Sequence, residues 1–204
     1  MIPFRRVSAG ELPEETRSLA RALIGYVLVR EGSDGLTAGR IVETEAYLPG
    51  DPACHAFGGR SVRNATLFGP PHRAYVYQIY GTSFCFNLSS EPDGLGAGVL
   101  VRALEPLAGI ELMTRRRATA ALRDLCRGPG RVCRAFAIDR SLDGTDPLVH
   151  AGLWLAGPTA APPRVRASRR IGISRAARRL LRFYEAGNRY VSGPALLSPP
   201  LNAR

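Results

Sequence analysis

Residues 26–48 read YVLVREGSDGLTAGRIVETEAYL and contain two runs, YVLVRE and AGRIVETEAYL, that are rich in strand-forming residues. Gly32, Asp34 and Gly35 separate the two runs, and residues of these types favour tight turns between strands. The stretch therefore predicts a β-hairpin, with the second run as its longer strand.

Outward from this hairpin, strand and helix patterns alternate without the regular βαβ order of a parallel sheet. We expect one α+β domain over residues 1–204, with loosely ordered tails at 1–10 and 194–204. Its sheet should be curved and largely antiparallel, with flanking helices and a protruding hairpin. The predicted helices are PEETRSLARALI (13–24), LAGIELMTRRRA (107–118), 118–126 and one within GPGRVCRAFAI (128–138); the further predicted strands are AYVYQI (74–79), FCFNLSS (84–90), GVLVRAL (98–104), WLAG (154–157), RRIGIS (169–174) and LLRFYEAG (180–187).

The chain of 204 residues has a formal net charge of +11, which suits a polyanionic partner such as nucleic acid, although a merely solubilising surface is an alternative. It contains no apolar run long enough for a membrane span, and its start lacks the apolar core of a signal peptide. We expect a cytoplasmic monomer that does not bind membranes. The four cysteines and three histidines lack metal-site spacing, so we expect neither a metal nor a cofactor.

All basic residues of the chain are arginine. An enzyme that attacks a sugar carbon by forming an imine normally uses a lysine amine. Only the N-terminal amine of the chain could play that part here, so the composition argues against an imine-forming lyase.

The segment IVETEAY places Glu43, Glu45 and Tyr47 on one face of a strand, because alternate side chains share a face. Burying a carboxylate without partners is costly, so at least one of the two should line a pocket or pair with an arginine. Two surface glutamates on an edge strand are an equally good interpretation of this segment alone. Arg102, embedded in an apolar strand, needs a partner if buried, and either Glu45 or Glu105 could supply it.

The segment AYVYQIYGTSFCFNLSS, residues 74–90, crowds aromatic residues into a predicted hairpin. Tyr75 and Tyr77 share a face, and such aromatics usually pack in a core. Tyr80 stands at the turn, where an exposed aromatic side chain could wedge between base pairs. Asn87 lies among apolar neighbours and needs hydrogen-bond partners if it is buried.

Six segments now occur in a fixed order along the chain: IVETEAY, CHAFGGRSVRN, FGPPHRAYVYQIYGTSFCFNLSS, VLVRALEP, GPGRVCRAFAI and RRIGIS with LLRFYEAGNRYVS. Together they resemble the alkyladenine/3-methyladenine DNA glycosylase family from about residue 14 to residue 193, and the chain looks like a bacterial member. The resemblance implies a DNA repair enzyme of base excision repair. Such an enzyme flips alkylated or deaminated purines out of duplex DNA and hydrolyses the N-glycosidic bond without metal or lyase activity.

The resemblance also implies a role for individual residues. Glu45 matches the base that activates water, Arg102 matches the arginine that helps to hold that water, and the main-chain carbonyl of Ile171 looks like a further water contact. Glu43 matches no catalytic position and is expected to be structural. The positions that match base-pocket residues are Tyr47, Tyr77, His55 and Asn87; the expected DNA contacts are Tyr80, Gly81, Thr82, Arg60 and Arg63, with Arg115, Arg116, Arg117 and the arginines of 164–182 as further candidates.

The sequence also departs from the family pattern. Thr82 and Ser83 stand where members often carry bulkier residues, and the loop 47–63 is slightly shorter than in the mammalian enzyme. The smaller residues bear on how deeply the hairpin enters the duplex. The shorter loop bears on which lesions the pocket accepts.

Three other functions fit parts of the sequence. They are a metal-dependent nuclease with Glu43 and Glu45 as ligands, a non-catalytic damaged-DNA binder, and a glycoside hydrolase for small molecules.

Overall fold

The computed structural model describes residues 4–79 and 81–194. Eight strands, three α-helices and four short 3₁₀-helices make up the regular structure of these residues. The strands are β1 (Val27–Gly32), β2 (Gly35–Tyr47), β3 (Ala74–Ile79), β4 (Ser83–Ser89), β5 (Gly98–Ala108), β6 (Leu153–Ala156), β7 (Val165–Ser168) and β8 (Arg182–Glu185); the helices are α1 (Thr16–Ala22), α2 (Ile110–Arg117) and α3 (Pro129–Ala135).

The strands form one curled antiparallel sheet in the order β3-β4-β5-β2-β1-β6, and β8 joins it by pairing with both β2 and β7. Strand β2 is the longest and lies inside the sheet, where it pairs with β1, β5 and β8. Its register with β5 shifts on both sides of Glu43, and bulges of this kind bend a strand and re-aim its side chains. The α+β prediction is therefore confirmed, and the site segment IVETEAY is central rather than at an edge.

The main core lies where α1, α2 and α3 cover one face of the sheet. Leu19 and Leu23 from the α1 region, Phe136 after α3 and Phe86 of β4 are completely buried there. A separate small cluster forms under the loop that follows β2, and it contains aromatic residues of β3. In this small cluster apolar side chains pack against the tyrosines of the site, and the cluster forms one wall of the site described below.

Two predicted elements are wrong. The helix expected over 118–126 is only a single turn at Leu122–Asp124, because the chain leaves α2 through a left-handed residue, Ala118, and Arg127 then bridges to Ala103. RRIGIS is a turn rather than a strand, because Gly172 has a φ of +76° and the side chain of Arg170 points into the protein. The neighbouring segment β7 forms the strand instead.

The expected tails are only partly covered by the described residues, since residues 1–3 and 195–204 lie outside them. Within 1–10, Arg6 pairs with Ala156 and Val7 is buried. No helix in the described ranges is both long and apolar enough to cross a lipid bilayer.

Candidate active site

A cavity of about 390 Å³ opens where β2, β5 and the β3–β4 hairpin meet the loops around residues 54 and 172. Its volume is in the range of pockets that hold one small organic ligand. Aromatic and polar side chains share the wall with aliphatic ones; the lining includes Tyr47, Cys54, His55, Tyr75, Tyr77, Cys85, Asn87, Arg102 and Ile171. The cavity therefore combines stacking surfaces with hydrogen-bonding groups, as an aromatic polar ligand requires.

The carboxylate of Glu45 lies directly beneath this wall, with no exposed surface. One oxygen, Oε1, accepts a hydrogen bond of 2.7 Å from the N–H of Ile171. The other, Oε2, accepts a bond of 2.8 Å from the Tyr47 hydroxyl and lies 3.3 Å from Nη1 of Arg102. All three partners line the cavity, so the carboxylate is fixed by the groups that form the cavity surface.

Burial raises the pKa of Glu45 above its ordinary value of 4.5, although the Arg102 charge and the hydrogen bonds from Ile171 and Tyr47 oppose this effect. A buried carboxylate with a raised pKa binds a proton more readily than a solvated one. Such a group is suited to accept a proton from a water molecule close to neutral pH.

Arg102 connects the two glutamates of β2. Its Nε donates to Oε1 of Glu43 at 3.2 Å while its Nη1 faces Glu45. Glu43 also accepts hydrogen bonds from Arg182 at 2.6 Å and from the N–H and hydroxyl of Ser192. Of the two partners expected for Arg102, Glu45 is present, whereas Glu105 pairs instead with Arg40.

The aromatic wall is built by neighbouring side chains of β3 and the loop before it. Tyr75 and Tyr77 stack with ring centroids 5.3 Å apart, and the imidazole of His55 stands edge-on to Tyr77 at 4.3 Å. His55 Nδ1 lies 3.0 Å from the Tyr75 hydroxyl. One side of His55 is exposed, but the pocket wall buries the rest of the ring. This burial lowers the pKa of His55, and the positive charge of Arg63 lowers it further. The lowered pKa of His55 favours its neutral form at neutral pH.

Asn87 on β4 is buried and faces the same cavity. Its Nδ2 donates a bond of 3.0 Å to the main-chain carbonyl of Tyr75, its register partner across the hairpin. This bond fixes the plane of the amide. Asn87 can therefore act as a rigid polar obstacle or partner for a ligand in the cavity.

The sequence profile of the methylpurine-DNA glycosylase family matches residues 11–189. The chain belongs to this family. It is therefore a DNA glycosylase, which hydrolyses N-glycosyl bonds of DNA in DNA repair. The resemblance noted from the six sequence segments is confirmed.

Individual relatives support this assignment over most of the chain. A Mesorhizobium japonicum protein, provisionally named a 3-methyladenine DNA glycosylase, is 53% identical over 94% of this chain and 92% of its own length. A Paraburkholderia phytofirmans protein with the same provisional name is 44% identical over 96% of this chain and 92% of its own length. The human DNA-3-methyladenine glycosylase is 47% identical over 85% of this chain and 63% of the human protein.

The expected DNA contacts that the structure describes lie on the two segments that also carry cavity-lining residues, the β3–β4 hairpin and the loop after β2. Gly81 and Thr82 at the hairpin end and Arg60 and Arg63 on the loop are all exposed. Arg63 donates to the main-chain carbonyl of Gln78, so the loop and the hairpin are linked. Tyr80, expected to enter the duplex, lies outside the described residues.

Two arginines of the segment 164–182 do not face solvent, contrary to the expectation that this segment contacts phosphates. Arg182 is completely buried and bonds Glu43 and the carbonyl of Ser192. Arg170 is also buried, and its partner is the buried Asp51, at 2.6 Å. Sequence reasoning missed Asp51 altogether. Its only sequence signal is its place in the long, Pro- and Gly-rich loop after β2.

Proposed function

We propose that this glycosylase extrudes alkylated purines of the 3-methyladenine type from duplex DNA and hydrolyses their N-glycosidic bond, leaving an abasic site. The observation that carries the proposal is the position of Glu45. Its carboxylate is held by Tyr47, Arg102 and Ile171, three groups that all line a cavity of suitable size for one base.

In the proposed reaction, Glu45 takes a proton from a water molecule as the water oxygen attacks C1′ of the deoxyribose. The glycosidic C–N bond breaks, and its electron pair leaves with the base. Oε1 of Glu45 uses one acceptor site on Ile171 and keeps another for water. Arg102 and the main-chain carbonyl of Ile171 would complete the water site. The negative carboxylate also stabilises the positive charge that develops on the sugar.

The base would stack on Tyr47 and Tyr77, with His55 closing the pocket edge-on. Electron-poor cationic purines are attracted to the faces of aromatic rings, which favours alkylated bases. Asn87 would clash with the exocyclic amino group of guanine and so favour adenine-derived lesions. Neutral lesions such as hypoxanthine and ethenoadenine belong to the proposed range, with the neutral His55 as a hydrogen-bonding partner rather than a strong acid.

Binding of the damaged duplex would use the exposed face around the cavity mouth. Arg60 and Arg63 would contact phosphates, while Gly81 and Thr82 would place Tyr80 in the gap left by the extruded base. The net charge of +11 supports this interface, since most of the affinity for DNA is electrostatic. We propose that the protein works as a monomer in the cytoplasm, on the chromosomal DNA of the nucleoid.

The reaction should stop at the abasic site. A lyase step needs an amine that forms an imine with the sugar, and the chain contains no lysine. The arrangement of Arg102 between Glu43 and Glu45 also disfavours the nuclease alternative, because a guanidinium occupies the position where a metal ion would bridge the two carboxylates.

The proposed function is tested with labelled duplexes that contain 3-methyladenine, hypoxanthine, ethenoadenine or no lesion, incubated in the presence of EDTA. We expect strand breaks only in lesion duplexes, and only after hot alkali. Direct nicking in EDTA would indicate a lyase, whereas nicking only in a parallel incubation with Mg²⁺ and no EDTA would indicate the metal-dependent nuclease. Tight binding of lesion duplexes without any base release would indicate a non-catalytic binder.

A further inference from the structure

Behind Tyr47 lies a buried ion pair that no part of the proposed reaction uses. The guanidinium of Arg170 lies over the Tyr47 ring, 4.6 Å from the ring centroid. Arg170 does not line the cavity, whereas Tyr47 does. The guanidinium therefore covers the face of the ring that is turned away from the cavity and leaves the other face for a base.

The position of Arg170 is fixed by few contacts. Its Nη1 donates to the main-chain carbonyl of Ala46 at 2.9 Å and forms an ion pair with Oδ2 of Asp51 at 2.6 Å. Both charged side chains are completely buried. Nε and Nη2 of Arg170 have no hydrogen-bond partner among the described residues. The arginine charge is therefore balanced mainly by Asp51 and by the ring of Tyr47.

The position of Arg170 links the two parts of the site, the stacking ring of Tyr47 and the carboxylate of Glu45. Arg170 touches the ring whose hydroxyl bonds Glu45, and it directly precedes Ile171, whose N–H bonds the other oxygen of Glu45. Asp51 belongs to the loop that also carries His55, and its Oδ1 accepts the N–H of Ala53. Movement of Arg170 would thus displace the stacking ring and the base-activating carboxylate together.

A cation on one face of an aromatic ring weakens the attraction of a second cation on the opposite face. A neutral ligand does not experience this charge–charge repulsion. The carboxylate of Asp51 offsets the charge of Arg170, but the guanidinium is the group in contact with the ring. The net charge of Arg170 and Asp51 therefore changes the attraction of cationic bases to the Tyr47 ring and leaves that of neutral bases nearly unchanged.

We propose that Arg170 and Asp51 are positioning residues that hold Tyr47 and set the preference of the pocket between cationic and neutral damaged purines. The proposal rests on the proposed function, in which the base stacks on Tyr47. It assigns a role in substrate choice to two residues that touch neither the base nor the water.

The test compares single-turnover release of cationic 3-methyladenine and neutral hypoxanthine from duplex DNA, at one pH and with spontaneous loss subtracted. In D51N the charge of Arg170 loses its carboxylate partner, as does Arg179, whose Nη1 lies 4.0 Å from Oδ2 of Asp51. The ratio of cationic to neutral release should then fall about tenfold, since two unit charges about 8 Å apart repel appreciably even at an effective dielectric constant of about 20.

R170Q removes the nearer charge and should raise the ratio. The double variant D51N/R170Q removes both charges and should restore a ratio at or above that of the wild type. A merely structural role predicts that release of both bases falls together and that the double variant is no better than D51N. If D51N does not fold, the release ratio of R170Q relative to the wild type tests the proposal.

D34N is the matched control, because it removes the exposed carboxylate partner of Arg116 at a pair that does not line the cavity. Its ratio should equal that of the wild type. Ratios within twofold of the wild type in both D51N and R170Q would overturn the proposal. Failure of the wild type to release either base would instead overturn the proposed function.

Discussion

Glu43 and Glu45 are two residues apart on one strand, yet their carboxylates have different hydrogen-bonding environments. Glu43 is saturated by Arg182, Arg102 and two groups of Ser192, and it holds the strand junction together. Glu45 has fewer donors, and burial raises its pKa. Environments that separate two carboxylates in this way commonly divide structural from chemical roles. Glu45 is therefore the carboxylate suited to proton transfer.

The raised pKa of Glu45 has a consequence for stability. Because the folded protein binds this proton more tightly than the unfolded chain, the stabilisation is complete below the unfolded value and is lost as pH rises through the folded value. E45Q stays neutral at every pH. Its melting temperature relative to the wild type should therefore rise between pH 4.5 and pH 8, as measured by circular dichroism.

D34N should show the opposite trend, and only at a lower pH, below the ordinary Asp pKa of 3.8. The hydrogen bond from Arg116 lowers the pKa of Asp34, so this carboxylate stabilises the fold above its unfolded pKa and ceases to do so as pH falls. A pH-independent difference between E45Q and the wild type would contradict the account of Glu45.

The site residues that strand alternation could place were those on regular strands, whereas His55 and Ile171, which lie on loops, were predicted from the family resemblance alone. Glu45, Tyr47 and Tyr77 follow from strand alternation combined with the family resemblance. The pairing of Asp51 with Arg170 could not be found, because it joins two irregular loops that are distant in sequence. Charge pairs between loops leave no periodic pattern.

At the scale of elements, the hairpins were predictable because glycine-rich turns and alternating strands are local signals. Both β1–β2 and β3–β4 are present as expected. RRIGIS was misjudged because its apolar residues suggest a strand, whereas the ion pair of Arg170 and the N–H bond from Ile171 to Glu45 bend this segment into a turn. Tertiary contacts overrode local preference there.

The turn from β5 into α2 depends on Gly109. Its φ is +72°, and an added Cβ would lie 2.1 Å from the main-chain oxygen of Leu36. Gly50 has a similar φ of +69° with no atom near the added Cβ. G50A should cost only the left-handed backbone penalty, about 1–2 kcal/mol. G109A should reduce the free energy of unfolding in urea titration by at least twice as much, since backbone atoms must also move. Equal reductions would contradict the described packing.

At the level of the whole molecule, the proposed interface for DNA is the arginine-bearing face around the cavity mouth. Arg63 lies on this face and reaches the hairpin, while Arg5 pairs with Glu11 near the strand β6 at the other edge of the sheet. The composition could predict a polyanionic partner, but only the fold separates the arginines that point outward from those that are buried.

R63A should weaken binding of damaged and undamaged duplexes alike. Removing one charged group from a phosphate lowers the slope of log affinity against log salt by about 1, so R63A should reduce that slope by about this amount. R5A should leave it unchanged in the same fluorescence anisotropy titration. Equal effects of the two substitutions would mean that the duplex does not bind at the cavity mouth.

The rate of base release by E45Q is the decisive measurement of whether Glu45 activates the attacking water. Single-turnover release of 3-methyladenine should fall by about 10²–10⁴-fold, the contribution typical of a positioned general base, while the affinity for the lesion duplex is retained. Release by E45Q at a rate within a fewfold of the wild type would contradict the assignment of Glu45 as the group that activates water.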